Sequence, residues 1–409
     1  MKLGPVHVLS GATFRRLITL HDLWAQVLGS MSGSNPMAAC VFEHSHGLLH
    51  SPLCARVVPA ILPLAPTAND AADLAATERL IAAYRLAMKE RVAPPAPSMW
   101  DRIGKTRADF IRALGRGDVE TIQASLSRLF TSNLVVVLGH FHPDHVQLLQ
   151  SNQPTHLHML FSDALVSLAE AIGAAHVTNV HQELATHVQP LNRDFDALYR
   201  AVVARLGFDL SFPAVGSAFG FRVGGQLHTT DGVVHSYTAQ RLRQLGGPGA
   251  SVAEIGGGYG CLALMAHRAG LAPYAVFDLP WVNALQGYFL IRALPAGSVR
   301  LYGESTGDIR VLPYYALETE PDKSFDVLVN SDSLPEMGRA TAAEYLRTIR
   351  RITRGVLLSI NQEAMARVAG MDPQNCVREL VEDVGGFVAV SRHRAWMRHG
   401  YVEKVFRPA

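Results

Sequence analysis

"VAEIGGGYGCLALMAHRAG", residues 252–270, decides how this 409-residue chain is read. It runs as an apolar strand, a glycine-rich turn and a helix. Gly256, Gly258 and Gly260 give the spacing G-x-G-x-G, with Gly257 between the first two. Residues without a side chain let the backbone turn sharply and approach a ligand, and the helix that follows presents its N-terminal amides. Glycines in a turn are often only structural, so the flanks matter. Glu254 stands two residues before the first glycine, and a second apolar run ends at Asp278, 20 residues after Gly258. An acid there can accept hydrogen bonds from both hydroxyls of an adenosine ribose.

Outward from that turn the texture is consistent. After about residue 245, short apolar runs alternate with helical stretches: "SVAEIG", "YAVFDL", "VRLYG", "FDVLVNS" and "GVLLSIN". The alternation predicts an α/β fold, a Rossmann-like parallel sheet covered by helices. The tail "GFVAVSRHRAWMRHGYVEKVFRP" predicts a closing antiparallel hairpin about Arg398-His399-Gly400. The first half reads as mostly helical. One helix is expected over 76–91, ending at the proline-rich "VAPPAPS". Two more are expected over 105–130, broken at Gly115 and Gly117 and capped by Asp118, with further helix from 156 to 206. The expected division is a helical unit over 1–234, covering the cleft and shaping the acceptor pocket, and a ligand-binding unit over 235–409.

Nicotinamide dinucleotide and S-adenosylmethionine both carry the ribose that Asp278 suits. Dinucleotide turns usually read G-x-G-x-x-G/A. Here the turn is E-x-G-G-G-x-G, which resembles motif I of class I S-adenosylmethionine-dependent methyltransferases. The Glu254 carboxylate would repel a pyrophosphate, whereas it favours the sulfonium and amino group of S-adenosylmethionine. "FDLP", residues 277–280 and so including Leu279, resembles the ribose-binding segment of plant-type O-methyltransferases. The stretches "HSYTAQRLRQL", "DLPWVNALQGYFLIRAL", "FDVLVNSDSLPEM" and "LLSINQEA" are together similar to a bacterial family of sugar O-methyltransferases, over roughly 235–365. That resemblance implies O-methylation of a small polar acceptor such as a sugar or glycosylated metabolite. Methylation at N, C or S of a secondary metabolite is the alternative within the same class.

Ligands of such a fold sit beyond the carboxyl ends of the strands, which assigns roles. Gly256 to Gly260 are expected to cradle the methionine part, and Asp278 the ribose. Glu304, or Asp308 in "TGDIRVLP", would meet the adenine amino group, though either reads equally as a solvated loop acid. Asn330, Ser331, Asp332, Ser333 and Glu336 follow a buried strand, where unsatisfied polar groups are costly, so they are expected to face cofactor or acceptor. Methyl transfer is an in-line displacement in which the protein aligns the acceptor and takes its proton. Plant-type relatives place a histidine after this strand, and this chain has none there. Asp332 or Glu336 is then the first choice for the base and His235 the second, with a helix cap the competing role for Asp332. Tyr237 and Arg241, one helical turn apart, flank the cofactor or pack. Asn361, Gln362 and Glu363 close the rim as acceptor contacts or as loop.

One motif pulls elsewhere. "LVVVLGHFHPDHVQLL", residues 134–149, places His140, His142, Asp144 and His145 in a spacing that resembles the metal motif of the metallo-β-lactamase superfamily. Such a hydrolase needs β structure before the motif and further ligands on later strands. Here the surroundings read as helix, and His176, His181 and His187 fall in helical pattern. With 18 histidines in the chain, a tight cluster is unsurprising. The cluster is therefore expected to be incidental and no metal is expected. A divalent ion serving the acceptor would sooner use Asp332 and Glu336. A catalytically idle scaffold is opposed by the intact set of Glu254, the glycines and Asp278.

Composition narrows the rest. Net charge is +2, with 18% charged and 48% hydrophobic residues, which points to no nucleic-acid or membrane partner and leaves room for a homodimer. No apolar run reaches the roughly 18 residues of a membrane span. The first residues mix charge into their apolar pattern, unlike a leader. Cys40, Cys54, Cys261 and Cys376 form no C-x-x-C pair and suit reduced thiols in a cytoplasmic protein.

Overall fold

The computed structural model describes residues 71–94, 98–150, 156–177, 194–364 and 374–409. Its centre is an eight-stranded sheet. In chain order the strands are β3 (Val252–Ile255), β4 (Tyr274–Asp278), β5 (Val299–Leu301), β6 (Ile309–Pro313), β7 (Phe325–Ser331), β8 (Thr353–Gln362), β9 (Phe387–Arg394) and β10 (Tyr401–Pro408). A separate two-stranded hairpin, β1 (Phe221–Val223) with β2 (Gln226–His228), precedes them. The spatial order is β5-β6-β4-β3-β7-β8-β10-β9. The strands from β5 to β8 run parallel, and β10 pairs antiparallel with both β8 and β9. The chain winds outward from β3 in both directions, so a crevice opens where the carboxyl ends of β3 and β7 diverge.

The Rossmann-like sheet and its terminal hairpin are those the sequence implies, with one addition. The segment "IRVLP", read as part of a loop, is strand β6, lying between β5 and β4. Arg310 breaks its apolar pattern and is satisfied by a two-point contact with Glu320 at 2.7 and 3.0 Å.

The helices are α1 (Ala71–Lys89), α2 (Met99–Lys105), α3 (Ala108–Arg116), α4 (Val119–Leu126), α5 (Pro143–Gln150), α6 (His156–Ala171), α7 (Phe195–Leu206), α8 (Thr230–Gly246), α9 (Cys261–Arg268), α10 (Pro280–Ala293), α11 (Ser333–Glu336), α12 (Arg339–Ile352) and α13 (Val377–Val384). Gly115 lies inside α3. The break falls at Gly117, whose φ of 71° suits a residue without Cβ. Asp118 caps α4 by accepting from the Thr121 amide at 3.1 Å. His176 lies past the end of α6 instead of within a helix, while His181, His187, Cys40 and Cys54 lie outside the described residues. Cys261 and Cys376 are buried free thiols. Among the described residues, no helix is long and apolar enough to cross a membrane.

Successive residues of a strand face opposite sides, and the buried strands use both. Ala253, Ile255, Ala275, Phe277 and Leu328 pack with α12 and α13 on one face. Val252, Val276, Val327 and Leu358 face the other, joined there by apolar side chains of the helical first half such as Leu80, Phe110, Leu126 and Phe161. The helical half and the sheet therefore share one core. Helix α8 crosses the expected boundary at 234/235 and carries both sides of it.

Candidate active site

A cavity of about 330 Å³ occupies the crevice, lined by Gly256, Gly257 and Gly258 of the glycine turn but not by Gly260, and by Glu254, Asp278, His140, Asp231, His235, Tyr237, Ser331, Asp332 and Glu336 among others. Gly256 and Gly258 adopt φ of 74° and 55°, the left-handed region that costs other residues strain. A Cβ on Gly256 would lie 2.3 Å from Ser333 Cβ, and one on Gly258 would lie 2.6 Å from the Leu138 carbonyl oxygen. The turn is thus closed from both sides, by the end of β7 and by the loop before α5.

One carboxyl fixes that turn and a second stands beside it. Asp278 Oδ2 accepts from the Gly257 amide at 3.0 Å and from Gln286 Nε2 at 2.9 Å, and Oδ1 accepts from the Leu279 amide at 2.8 Å. Gln286 also donates to the Gly258 carbonyl at 3.0 Å, so one side chain on α10 ties acid and loop together. Burial pushes the Asp278 carboxyl up to about 7 despite these donors. Glu254, buried at the end of β3, accepts from Tyr274 Oη at 2.7 Å. Burial pushes it up to about 7 as well, with the Asp278 charge adding to the effect. Two carboxyls held this way are short of positive charge, the condition that a cationic ligand relieves. Beyond the ends of β4 and β6, Leu279 and Tyr314 continue the wall with an apolar surface.

The end of β7 is an interlocked polar cluster. Asn330 is fully buried and does not line the cavity: its Nδ2 donates to the Ile255 carbonyl at 3.0 Å, and its Oδ1 accepts from Asn361 at 3.1 Å. Asp332 adopts φ of 69°, with its amide donating to Asn361 Oδ1 at 2.8 Å. It stands at the N-cap of α11 without making a side-chain cap bond. Its carboxylate holds Arg398, which lies 3.7 Å over the Tyr401 ring. Glu336 accepts from Trp100 Nε1 at 3.1 Å, and burial, aided by the Asp332 charge, pushes it up to about 7.

Across the cavity stands a pair that the sequence does not announce. Asp231, at the start of α8, is nearly inaccessible. It accepts from the His140 amide at 3.0 Å, from Tyr259 Oη at 2.8 Å and from the His140 ring through Nδ1. The packing round His140 opposes its charged form, but the Asp231 charge and hydrogen bond outweigh it, so its pKa is raised. Asp231 sits at about 2: burial works upward, and the charge and hydrogen bonds of His140, with the charge of His235, together outweigh it. The Nδ1 contact leaves Nε2 as the ring atom free to work, and 46% of the His140 side chain is open to the cleft. A Cβ on Gly139 would lie 2.5 Å from Asp231 Oδ2, so only glycine lets the loop come this close. His235, one turn further along α8, is held neutral, with burial lowering it to about 4.

Other expected site residues stand elsewhere. Glu304 does not line the cavity. Its carboxylate holds Arg79 of α1 at 2.7 and 2.8 Å. Asp308 is exposed just before β6 and does not line it either. Tyr237 lines the cavity and Arg241 does not, and both hold the buried Glu403 of β10, each at 2.9 Å. Gln362 pairs with Gln374, and Glu363 with Arg392. His142, Asp144 and His145 do not converge with His140: the Asp144 amide donates to His142 Nδ1 at 3.2 Å, and His145 Nδ1 turns to the His140 carbonyl at 3.1 Å. Among the described residues no group of three such side chains is disposed to hold a metal ion.

No family model matches the chain, and no curated protein matches it. Among solved structures, the glycopeptide N-methyltransferase MtfA, complexed with sinefungin, is 15% identical over 43% of this chain and 94% of its own, with a TM-score of 0.34. The 1,6-didemethyltoxoflavin-N1-methyltransferase of Burkholderia thailandensis is 17% identical over 43% of this chain and 78% of its own, with a TM-score of 0.32. The magnesium protoporphyrin IX methyltransferase of Synechocystis PCC 6803 is 15% identical over 43% of this chain and 81% of its own, at 0.32. Each of these likenesses spans less than half of the chain.

Proposed function

We propose that this chain is an S-adenosylmethionine-dependent methyltransferase acting on a hydroxyl of a small-molecule acceptor. The observation that carries the reading is the pair of enclosed carboxyls, Glu254 and Asp278, flanking a glycine turn at the carboxyl end of β3. A dinucleotide would set its pyrophosphate against Glu254, whereas a sulfonium with an amino group suits that carboxyl, and Asp278 suits the ribose of either. The glycine turn and Glu254 would hold the methionine part, Asp278 the ribose, and the wall at Leu279 and Tyr314 the adenine. When bound, the cofactor supplies a methyl carbon whose bond to sulfur breaks toward sulfur as an oxygen lone pair takes the carbon, leaving a neutral thioether.

The protein's own work is alignment and proton removal. His140 is placed for the second: Asp231 fixes the ring through Nδ1, leaving Nε2 to accept the hydroxyl proton. This moves the role from Asp332, whose carboxylate is engaged by Arg398, and from His235, whose low basicity suits it less. Calorimetry with S-adenosylhomocysteine and with NAD tests the cofactor. Binding of NAD alone would overturn the reading. Mass spectrometry of products made with isotopically labelled methyl donor locates the methylated atom, and a methyl group on nitrogen, carbon or sulfur would discard O-methylation while keeping the class.

A further inference from the structure

His140 lines a second cavity as well, of about 350 Å³, which includes no residue of the glycine turn. Val137, Gly139, His140 and Asp231 line both cavities, so the two meet at the Asp231-held ring. The second is walled by Phe141 of the loop before α5, Leu149 of α5, Leu157 and Leu160 of α6, and Phe219 and Phe221 at and before β1. Its polar lining side chains are His140, His142, His145, Thr229, Thr230 and Asp231, of which His140 and Asp231 also line the first cavity.

Size and chemistry divide the labour. At about 330 Å³ the first cavity is near the lower end for one drug-sized ligand, so a nucleoside with an amino-acid tail fills it and the acceptor must come from beside it. The second cavity has its own room and touches the group that would take the proton. Most of its lining is aliphatic and aromatic, so a ring bearing hydroxyls on every edge would bury some of them unpaired, each at a cost in free energy. A flat apolar ring carrying one hydroxyl at the histidine end avoids that cost. Proton transfer also works best between groups of similar basicity, and a phenolic hydroxyl, near 10, is closer to imidazole than an aliphatic alcohol is.

We propose that the second cavity is the acceptor chamber, and that the acceptor is an aromatic hydroxyl compound whose ring lies among Phe141, Leu157, Leu160 and Phe219 with its hydroxyl directed at His140. This rests on the methyl-transfer reading, yet it can be tested apart from it, by binding to the full chain without turnover.

The probes are 2-naphthol and methyl α-D-glucopyranoside, titrated into the protein by calorimetry with and without saturating S-adenosylhomocysteine. The chamber takes 2-naphthol and not the glucoside, and the bound naphthol is not displaced by S-adenosylhomocysteine. Leu160→Trp fills the chamber and weakens naphthol binding by about tenfold or more while leaving S-adenosylhomocysteine affinity unchanged. Displacement of naphthol by S-adenosylhomocysteine, a preference for the glucoside, or naphthol affinity untouched in a folded Leu160→Trp protein would each overturn the proposal. Leu157→Phe serves in its place should Leu160→Trp fail to fold, and the wild-type competition decides without either. Naphthol binding that persists in a protein without affinity for S-adenosylhomocysteine supports the chamber and overturns the cofactor reading. S-adenosylhomocysteine binding without naphthol binding overturns the chamber alone.

Discussion

His140 and Asp231 are 91 residues apart in the chain and share three hydrogen-bonding contacts, two through the His140 amide and one through its ring. Such a contact fixes tautomer and orientation together, because the backbone bonds set the loop while the Nδ1 bond sets the ring. If this histidine is the base, His140→Gln should lower turnover by about 10²–10⁴ and leave S-adenosylhomocysteine affinity intact. Asp231 raises the His140 pKa, and the base works when neutral, so activity should climb as pH rises through that raised value. In Asp231→Asn the climb should begin at lower pH with a reduced plateau, as a pH–rate profile reads. Near-normal turnover in a folded His140→Gln protein would return the role to Glu336.

Glu254 makes cofactor binding pH-dependent in a stated direction. A cation beside a carboxyl lying at about 7 draws it into the charged form. Binding of S-adenosylmethionine should therefore release protons near neutral pH and tighten between pH 6 and 8, visible as buffer-dependent heats. For the free protein the sign runs the other way. A carboxyl raised by folding adds stability that is fully present below its unfolded value and is lost as pH climbs through about 7. Glu254→Gln should thus melt at a higher temperature than wild type at pH 8, bind S-adenosylmethionine more weakly and release fewer protons. Unchanged proton release would place the titration on Asp278.

Gly256 meets two separate demands, conformation and space. Gly256→Ala should abolish cofactor binding, because its Cβ would collide with Ser333 and its φ stays positive. Ser333→Gly in the same protein removes the collision and leaves the left-handed backbone, which costs about 1–2 kcal/mol. Partial recovery of S-adenosylhomocysteine affinity in the double variant is the expected result. Full recovery would show that space alone matters there.

Incubation with a chelator should leave S-adenosylhomocysteine affinity and methyl transfer unchanged, since His142, Asp144 and His145 are turned to one another and to backbone instead of to a shared centre with His140. Elemental analysis finding stoichiometric zinc, with activity lost on its removal, would revive a metal-dependent reading.

The glycine turn was legible because every part of it is local: strand, turn, helix and the acid 20 residues on lie within one stretch of chain. What the sequence hid is long-range. Nothing near Glu304 says that Arg79, 225 residues away, will occupy its carboxylate. The histidine motif misled for a related reason. Its tight spacing suggests four ligands of one centre, whereas a partner on α8 holds the His140 ring apart from the other three. Asn330 shows the opposite case, a polar residue placed correctly at a strand end and then consumed by packing: its amide bridges the ends of β3 and β8. Strand β6 was missed because Arg310 interrupts it, and the compensating Glu320 lies outside the strand.

The loop that sets Leu138 against Gly258 and His140 against Asp231 has a consequence for how such a chain can diversify. The turn that would grip the cofactor belongs to the sheet, whereas the histidine belongs to the helical half. Replacing side chains along α5 and α6 would alter what is offered to His140 without touching a single residue of the glycine turn. New selectivity can thus be engineered from one side of the interface. The reverse exchange is blocked: residues 235–409 alone would carry the turn but lose both His140 and Asp231, and would leave bare the apolar side chains of α10 that now share a core with Leu80 and its neighbours on α1.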